Sequence, residues 1–276
     1  MRDRRLRWPI EKHFEAAIRH GTVRGVERRA KYLLIAFDSG TLIVHLGMSG
    51  SLRIVDADAP PKAHDHWDLR LDSGYALRFH DPRRFGSALF TQADPLEHKL
   101  LAMLAPEPLS GTFDAHYLYR ATRKRAVAIK QFIMNSQVVV GVGNIYASES
   151  LFRARIAPRR AARRLTRAQA AALCQAIKDV LAEAIEIGGT TLRDYVNADG
   201  APGYFGQQLY VYERAGLPCR VCKTPVKQFV QGQRSTYWCP VCQRTGRRPV
   251  AASTPVPRPR RADPRRPPPF RSRNPR

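Results

Sequence analysis

The sequence predicts a multidomain α+β protein in which an antiparallel β-sandwich precedes a helical domain and a small module with four cysteines. Three observations lead to this fold class. Short apolar or alternating runs between turn signals fill residues 31–91, which is typical of antiparallel strands. From about residue 95 the apolar residues recur at helical spacing. Two Cys-x-x-Cys pairs then follow, at residues 219–222 and 239–242.

The composition restricts the partners of the protein. Its 276 residues include 47 Lys and Arg against 23 Asp and Glu, which gives a formal net charge of +24. Such an excess attracts a polyanion, and nucleic acid fits better than a membrane surface because no basic amphipathic helix is obvious. No apolar run approaches the ~18 residues of a membrane span, and no signal peptide is evident. We therefore expect a soluble, cytoplasmic protein that binds nucleic acid.

Six predicted strands make up the sandwich domain, residues 1–93. Turn signals such as Asp38-Ser39-Gly40 and Asp72-Ser73-Gly74 separate them. Consecutive short strands with tight turns form antiparallel sheets. The predicted strands are 32–37, 41–46, 51–55, 67–71, 75–80 and 85–90.

A long helix dominates the predicted helical domain, residues 94–212. Thr166 is placed to cap it, with Gln169 three residues on, and Gly188-Gly189 ends it. One stripe of apolar side chains faces the predicted core. It consists of Leu173, Ile177, Val180, Leu181 and Ala184.

A glycine-rich turn, Gly141-Val142-Gly143-Asn144, precedes a second predicted helix over 145–152. With a helix on either side it forms a helix–two-turns–helix element. Glycines before a helix start let a phosphate approach the exposed N–H groups, although the bare pattern also fits a packing turn.

The four paired cysteines predict one structural zinc ion in a finger over residues 213–243. Cys219 and Cys222 are separated from Cys239 and Cys242 by 16 residues, which lets two thiolate pairs close a tetrahedron. Four thiolates leave no open position for catalysis. The fifth cysteine, Cys174, lies beside the apolar stripe and is expected to be buried.

One short segment carries four potential metal ligands, His64, Asp65, His66 and Asp68, which could form a metal site. Alternation along a strand argues against this, because it would send His64 and His66 to one face and Asp65 to the other.

Two basic segments flank the predicted strands. Lys31 follows Arg28-Arg29, a run that also fits a solvated basic edge. The segment Asp81–Gly86 places Arg83, Arg84 and Phe85 in a turn. Arginine and phenylalanine on an exposed loop are what a wedge into a base stack requires, although exposed arginine alone carries little information.

The last segment, residues 244–276, holds 11 Arg and 9 Pro and has few large apolar residues. It cannot bury enough surface to fold, so we expect a disordered basic tail.

Taken together, the motifs closely resemble those of bacterial formamidopyrimidine-DNA glycosylase. The sister family, endonuclease VIII, lacks the combination of Met48 with Arg83 and Phe85. The matching segments, in chain order, are 28–34, 45–53, 64–66, 81–86, 141–149, 188–191 and the four cysteines.

The resemblance implies a DNA glycosylase and AP lyase that acts on oxidised purines, 8-oxoguanine and formamidopyrimidine, in damaged double-stranded DNA. It implies strand nicking by β,δ-elimination, a monomer, and a loop over residues 190–212 that covers the lesion. Met48, Arg83 and Phe85 would fill the gap left by the flipped base. Lys31 and Arg234 match the family's proton donors. The positions that match phosphate contacts are Lys31, His64, Arg125, Lys130, Asn144 and Arg234.

The resemblance also places catalytic groups ahead of the first residue of this sequence. The family's nucleophile is an N-terminal proline amine, followed by a catalytic glutamate. This sequence opens Met-Arg-Asp, so we expect an N-terminally truncated sandwich and no borohydride-trapped complex with 8-oxoguanine DNA. The alternatives are a start codon assigned too far downstream, a paralogue that binds damaged DNA without cutting it, an inactive product, or a substitute amine such as Lys31.

Overall fold

Two antiparallel sheets occupy the first part of the chain in the computed structural model, which describes residues 1–189 and 208–244. The strands are β1 Val23–Arg29, β2 Tyr32–Phe37, β3 Gly40–His45, β4 Ser51–Asp56, β5 Asp65–Arg70, β6 Tyr75–His80 and β7 Ser87–Thr91. One sheet has the order β1-β2-β3-β7 and the other β4-β6-β5. A short helix, α1 Phe14–Ile18, precedes them. The predicted antiparallel sandwich is thereby confirmed.

The apolar faces of the two sheets share one core. Leu42 and Val44 of β3 are buried, as are Trp67 of β5 and Phe79 of β6. The Trp67 and Phe79 rings stack with centroids 5.2 Å apart. Phe14 of α1 adds a third ring to this cluster, so the helix closes one side of the core.

Strand β1 is missing from the sequence prediction. Its residues read Val-Arg-Gly-Val-Glu-Arg-Arg and are mostly exposed, because the strand lies at the edge of its sheet and pairs only with β2. An exposed edge strand needs no apolar run, so the strand signal is weak. Lys31 consequently lies in the turn between β1 and β2, rather than at the start of a first strand.

Two further details differ from the prediction. The last strand begins at Ser87, so Phe85 belongs to the preceding loop. Around the start of β5 the register shifts between Asp65 and Trp67, and Asp65 and His66 are both buried, while His64 is exposed. A bulge breaks the period of two on which the alternation argument depended.

Within its described residues, the second part contains four helices around a core that includes Leu118, Ile133, Leu151 and Ile177. Their bounds are α2 Ala115–Thr122, α3 Ile129–Ile133, α4 Asn144–Arg153 and α5 Arg167–Glu186. Single-turn 3₁₀ helices lie at Pro95–Glu97 and Ala162–Arg164. The predicted capping box at Thr166 and Gln169 is present, and the predicted stripe is buried. Cys174 is buried as predicted.

The final described segment is a two-stranded hairpin, β8 Lys227–Gln231 and β9 Arg234–Trp238. Gly232 and Gln233 both adopt positive φ, at 56° and 58°, which is the backbone of a tight two-residue hairpin turn. The hairpin is docked on the helices: a Cβ added at Gly232 would lie 2.7 Å from Nε2 of Gln131 in α3. Gln243 also donates from Nε2 to the carbonyl of Ile156, at 3.0 Å.

Two predicted segments, the greater part of the lesion-covering loop at 190–207 and the tail from residue 245, lie outside the described residues. Among the residues that are described, no helix combines the length and the apolar character needed to cross a membrane.

Candidate nucleic-acid interface

Two loops of the sandwich lie side by side and expose large apolar side chains. Met48, in the loop after β3, is 69% exposed, and Phe85, in the loop before β7, is 49% exposed. The Arg83 guanidinium carbon lies 5.3 Å from the centre of the Phe85 ring. We call Met48, Arg83 and Phe85 the wedge residues. Exposed apolar groups beside a cation form a contact surface for a partner with stacked rings and negative charge.

Glycines bring the two wedge loops into backbone contact. Gly47 has a φ of 68°, and a Cβ there would lie 2.6 Å from backbone atoms of Phe85 and Gly86. A Cβ at Gly86 would lie 2.7 Å from the carbonyl of His45. Both distances are shorter than a side chain tolerates, so glycine is required for the loops to pack this closely.

Lys31 connects the sandwich to the helical part. A Cβ at Gly143, the residue before α4, would lie 3.3 Å from Nζ of Lys31. Solvent reaches the Lys31 side chain, but protein atoms surround it on most sides. This desolvation, and secondarily the charge of Arg234, lower the pKa of Lys31. Lys31, Gly143 and Arg234, from three parts of the chain, therefore face one groove.

His45 continues this groove toward the wedge residues. Its Nδ1 accepts a hydrogen bond from the Gly47 backbone at 2.9 Å. Burial, followed by the charges of Lys31 and Arg7, lowers the pKa of His45, which favours the neutral ring. One path of contacts and charge interactions therefore runs from Arg234 through Lys31 and His45 to Gly47.

Lys130 lies at the centre of a polar network between α3, α4 and β9. It is 1% exposed. Its Nζ donates to Oδ1 of Asn144 at 2.5 Å, to the carbonyl of Ser235 at 3.1 Å and to Oγ1 of Thr236 at 2.7 Å. Burial, then the charge of Arg234, lower the pKa of Lys130 to about 8. All three donors of the ammonium group are engaged by protein.

Asn144, the first residue of α4, is held on two sides. In addition to accepting from Lys130, its Nδ2 donates to the carbonyl of Ser235 at 3.1 Å and to the hydroxyl of Tyr212 at 3.3 Å. The Asn144 amide is therefore fixed where the helix dipole favours an anion.

The remaining predicted contacts lie around the edge of this arrangement. Arg234 is exposed at the start of β9, beside the hairpin turn. His64 is exposed, with a φ of 68°, and its carbonyl accepts from the backbone of Asp81. Arg125 lies in the connection between α2 and α3 and is exposed, and its backbone bonds to Thr122 and Arg163.

The four paired cysteines converge on one point. Their sulfur atoms lie within 4.8 Å of one another, with 3.9 Å between Cys219 and Cys242 and 3.4 Å between Cys222 and Cys239. A tetrahedron of sulfurs around zinc has edges of about 3.8 Å, since each Zn–S bond is about 2.3 Å. The cluster therefore fits a metal ion.

One stretch of the chain is almost free of acidic residues. Between Asp114 and Asp179 the sequence has 13 Lys and Arg, and Glu149 is its only acid. Glu149 is buried, and its carboxylate accepts the backbone N–H groups of Tyr210, Val211 and Tyr212. No acidic side chain of this stretch reaches the surface.

Sequence reasoning missed several members of the site. His45, Tyr212 and Thr236 were not predicted, because their roles depend on contacts between distant segments. Glu149 lies within the motif at 141–149 and is the only acid between Asp114 and Asp179. A lone carboxylate in a basic stretch is a signal that could have marked it as a buried acceptor.

Comparison with known proteins gives three matching family models. Residues 1–88 match the formamidopyrimidine-DNA glycosylase N-terminal domain, and residues 104–196 match the formamidopyrimidine-DNA glycosylase H2TH domain. Residues 216–245 match the zinc finger found in FPG and IleRS. The three models occur in the same order as the sandwich, the helices and the hairpin.

Curated relatives and solved structures agree with this match. The formamidopyrimidine-DNA glycosylase of Thioalkalivibrio sulfidiphilus is 62% identical over 244 residues, covering 88% of this chain and 90% of the relative. The MutM (Fpg) protein of Thermus thermophilus is 42% identical, with a TM-score of 0.75 over 82% of this chain and 85% of that one. The Lactococcus lactis protein, solved with N7-benzyl-Fapy-dG DNA, is 30% identical, with a TM-score of 0.81 over 88% and 90%.

Proposed function

The chain belongs to the formamidopyrimidine-DNA glycosylase family, enzymes of base excision repair that bind damaged DNA, and we propose that it removes oxidised purines from duplex DNA. The substrates are 8-oxoguanine and formamidopyrimidines, and β,δ-elimination then nicks the strand. The observation that supports this best is the row of cationic and polar groups from Arg234 through Lys31 and His45 to the wedge loops, joined by charge interactions and by the hydrogen bond from Gly47 to His45. A duplex in this groove would meet the hairpin, the start of α4 and the wedge residues together.

The wedge residues act on the base stack. A base inside a duplex is out of reach of any active site, so it must be extruded and its place filled. Met48 and Phe85 are exposed on loops that are fixed at their bases, which suits insertion. Arg83, whose guanidinium lies near the Phe85 ring, reads the base that loses its partner.

The phosphates beside the flipped nucleotide are held by cations and by a helix terminus. Asn144 and the N–H groups at the start of α4 receive one phosphate. His64, Arg125 and Arg234 extend the contacts along the backbone. Lys130 supports this mainly through Asn144, because its three donors bind protein atoms and a direct phosphate contact would require one of these bonds to open.

Lys31 and Arg234 are the proposed proton donors during elimination. The lowered pKa of Lys31, caused by desolvation and by Arg234, makes its ammonium group a stronger acid than an exposed lysine. Its position beside Gly143 and within the influence of Arg234 puts this proton at the centre of the groove.

Zinc is the proposed metal of the four-cysteine cluster. Thiolates prefer soft or borderline ions, and four of them in a tetrahedral arrangement are typical of structural zinc. Cys219, Cys222, Cys239 and Cys242 would hold it and so fix the hairpin that carries Arg234.

We further propose that the protein acts as a monomer in the bacterial cytoplasm. One chain supplies every residue of the interface, and the relatives are bacterial proteins. Light scattering of the protein alone and with DNA tests the monomer: a mass of two chains per duplex would contradict it.

The function is tested with duplexes that contain 8-oxoguanine opposite cytosine or an undamaged guanine. We expect tighter binding of the damaged duplex, and chromatography measures whether free 8-oxoguanine is released. Release by the sequence as given would require a substitute amine such as Lys31, because the family's proline amine and glutamate are not part of it. Asn144→Ala should lose binding, whereas Gln175→Ala, which removes a side-chain amide that donates to Asp179 on α5, should retain it. Equal binding of both duplexes without release would contradict the proposal. Preferential binding without release would identify the non-cutting alternative.

A further inference from the structure

We infer that Asp81 is a positioning residue for the reading of the opposite base. Its buried carboxylate fixes the loop that carries Met48 to the loop that carries Arg83 and Phe85. This inference rests on the proposed function, since the positioning matters only if the wedge residues enter a duplex.

The first support is the set of hydrogen bonds to the carboxylate. Asp81 is fully buried, with 0% exposure. Its Oδ1 accepts from Oγ of Ser49 at 2.8 Å, and its Oδ2 accepts from the backbone of Gly86 at 2.8 Å. The backbone of Arg83 donates to Oδ1 at 3.3 Å. Ser49 follows Met48, and Gly86 follows Phe85, so one carboxylate binds both wedge loops.

The second support is the Asp81 backbone, which binds a third segment. Its N–H donates to the carbonyl of His64 at 3.1 Å, and its carbonyl accepts from Nε2 of His66 at 2.8 Å. A carbonyl only accepts, so Nε2 of His66 carries the proton. His64 is a proposed phosphate contact, and Asp81 thereby holds it in register with the wedge residues.

The third support is a path from the carboxylate to the guanidinium group. The Ser49 hydroxyl gives its hydrogen to Asp81 and so presents a lone pair elsewhere. Nε of Arg83 donates to this oxygen at 3.3 Å. The direction of the Arg83 side chain is therefore set by Ser49, and that of Ser49 by Asp81. If the hydrogen bond from Arg83 to Ser49 or the one from Ser49 to Asp81 is removed, the Arg83 guanidinium group loses its fixed direction.

The substitution Asp81→Asn separates this role from simple space filling. Asparagine has nearly the same shape, but one acceptor oxygen becomes an NH₂ group. Either Gly86 or Arg83 and Ser49 would then face a donor where they need an acceptor, and buried donors without acceptors are unfavourable. Ser49→Ala removes only the link to the guanidinium group and leaves the carboxylate with the two backbone donors.

The experiment measures dissociation constants for duplexes with a tetrahydrofuran abasic analogue opposite cytosine or adenine. The readout is the ratio of the two constants, which a general loss of stability does not change. We expect the ratio to fall about fivefold in Asp81→Asn and in Arg83→Ala, and less in Ser49→Ala, since a base-reading contact contributes about 1–3 kcal/mol of discrimination.

Matched controls are Asp94→Asn, whose carboxylate accepts from the backbone of Leu96, and Ser39→Ala, whose hydroxyl donates to the carbonyl of Ala17. Both lie away from the wedge loops and should keep the wild-type ratio. Thermal melting shows whether each variant is folded, and Ser49→Ala decides the matter if Asp81→Asn does not fold.

A reduced ratio in Ser49→Ala and in folded Asp81→Asn, with unchanged controls, supports the inference. If Arg83→Ala loses the preference for cytosine while Ser49→Ala and Asp81→Asn keep it, the inference is overturned and the proposed function stands. If the wild type shows no preference for cytosine, or if Arg83→Ala keeps the wild-type preference, the proposed role of the wedge residues fails. The inference then fails with it.

Discussion

The two sides of the proposed interface hold their functional side chains in different ways. On the helical side, Lys130 is buried and all its donors bind protein atoms, so the group proposed to support DNA contacts also ties α3 to β9. On the sandwich side, Met48 and Phe85 are exposed, and only the bases of their loops are fixed. We therefore expect stability and DNA binding to be coupled on the helical side and separable on the sandwich side.

The largest test of this coupling is the removal of a metal ligand by Cys239→Ser. Metal binding in four-cysteine modules supplies folding free energy, so the hairpin should unfold and take with it Arg234 and the acceptors of Lys130. We expect the affinity for an abasic duplex to fall on the order of 100-fold, as for the loss of two contacts. Zinc content and dissociation constants measure this.

Cys174→Ala is the matched control, because this cysteine lies in the helical core and not in the metal cluster. It should retain one zinc ion per chain. A Cys239→Ser protein that binds DNA as tightly as the wild type would show that the folded hairpin does not contribute to DNA binding. It would contradict the coupling of stability and binding on the helical side.

The next largest effect is expected for Lys130→Met. Methionine fills similar space but leaves the Asn144, Ser235 and Thr236 oxygens without their donor. The free energy of unfolding should fall by about 1–3 kcal/mol, and DNA affinity should fall about tenfold. Denaturant titration and DNA titration measure the two effects in one protein.

Lys178→Met serves as the control, since this lysine donates to the carbonyl of Ser110 and belongs to no proposed contact. Loss of affinity in Lys130→Met without loss of stability would mean that the two properties are separable on the helical side as well.

Phe85→Ala should show the opposite combination. An exposed side chain contributes little to folding, so the free energy of unfolding should stay within about 0.5 kcal/mol of the wild type. Affinity for the abasic duplex should fall about fivefold, as expected when one aromatic contact to bases is lost. Ile185→Ala, a change of another exposed apolar residue, on α5, should alter neither quantity. A destabilised Phe85→Ala would contradict the proposed separation.

The smallest effect is a dependence on pH that has opposite signs for binding and for folding. The pKa of Lys130, lowered to about 8, lies below its ordinary value of 10.5. Above pH 8 the native state loses this proton before the unfolded state does, so the Lys130 contribution to stability rises with pH up to about 10.5. DNA affinity should fall over the same range, because a positive charge disappears.

Titration of affinity and stability from pH 7 to pH 10 checks both signs. Lys130→Met should show less of each trend. Identical pH profiles in the two proteins would show that Lys130 does not titrate in this range.

Sequence alone predicted the features that depend on neighbouring residues. The cap of α5, its apolar stripe and the four-cysteine spacing are local patterns, and all are present in the structure. Strands β2 and β6 were found with their bounds, because both combine an apolar face with clear turn signals.

The features that were missed depend on distant contacts. Thr236 lies 106 residues from Lys130, and nothing near either residue in the sequence indicates that they meet. Strand β1 is defined by pairing with β2, rather than by its own composition. The resemblance to a family points to Arg83 and Phe85, but the hydrogen bonds between their loop and the buried Asp81 are visible only in the structure.

The stretch between Asp114 and Asp179, whose only acid is buried, has a consequence for how the protein reaches its target. A stretch of chain whose exposed charges are all positive draws a duplex in from several ångströms away and holds its backbone without regard to sequence. At low ionic strength the protein should therefore bind DNA rapidly, and most of these encounters should be with undamaged DNA. The helical half would hold the protein on DNA while the protein moves along the duplex, and the wedge residues of the sandwich half would recognise the lesion.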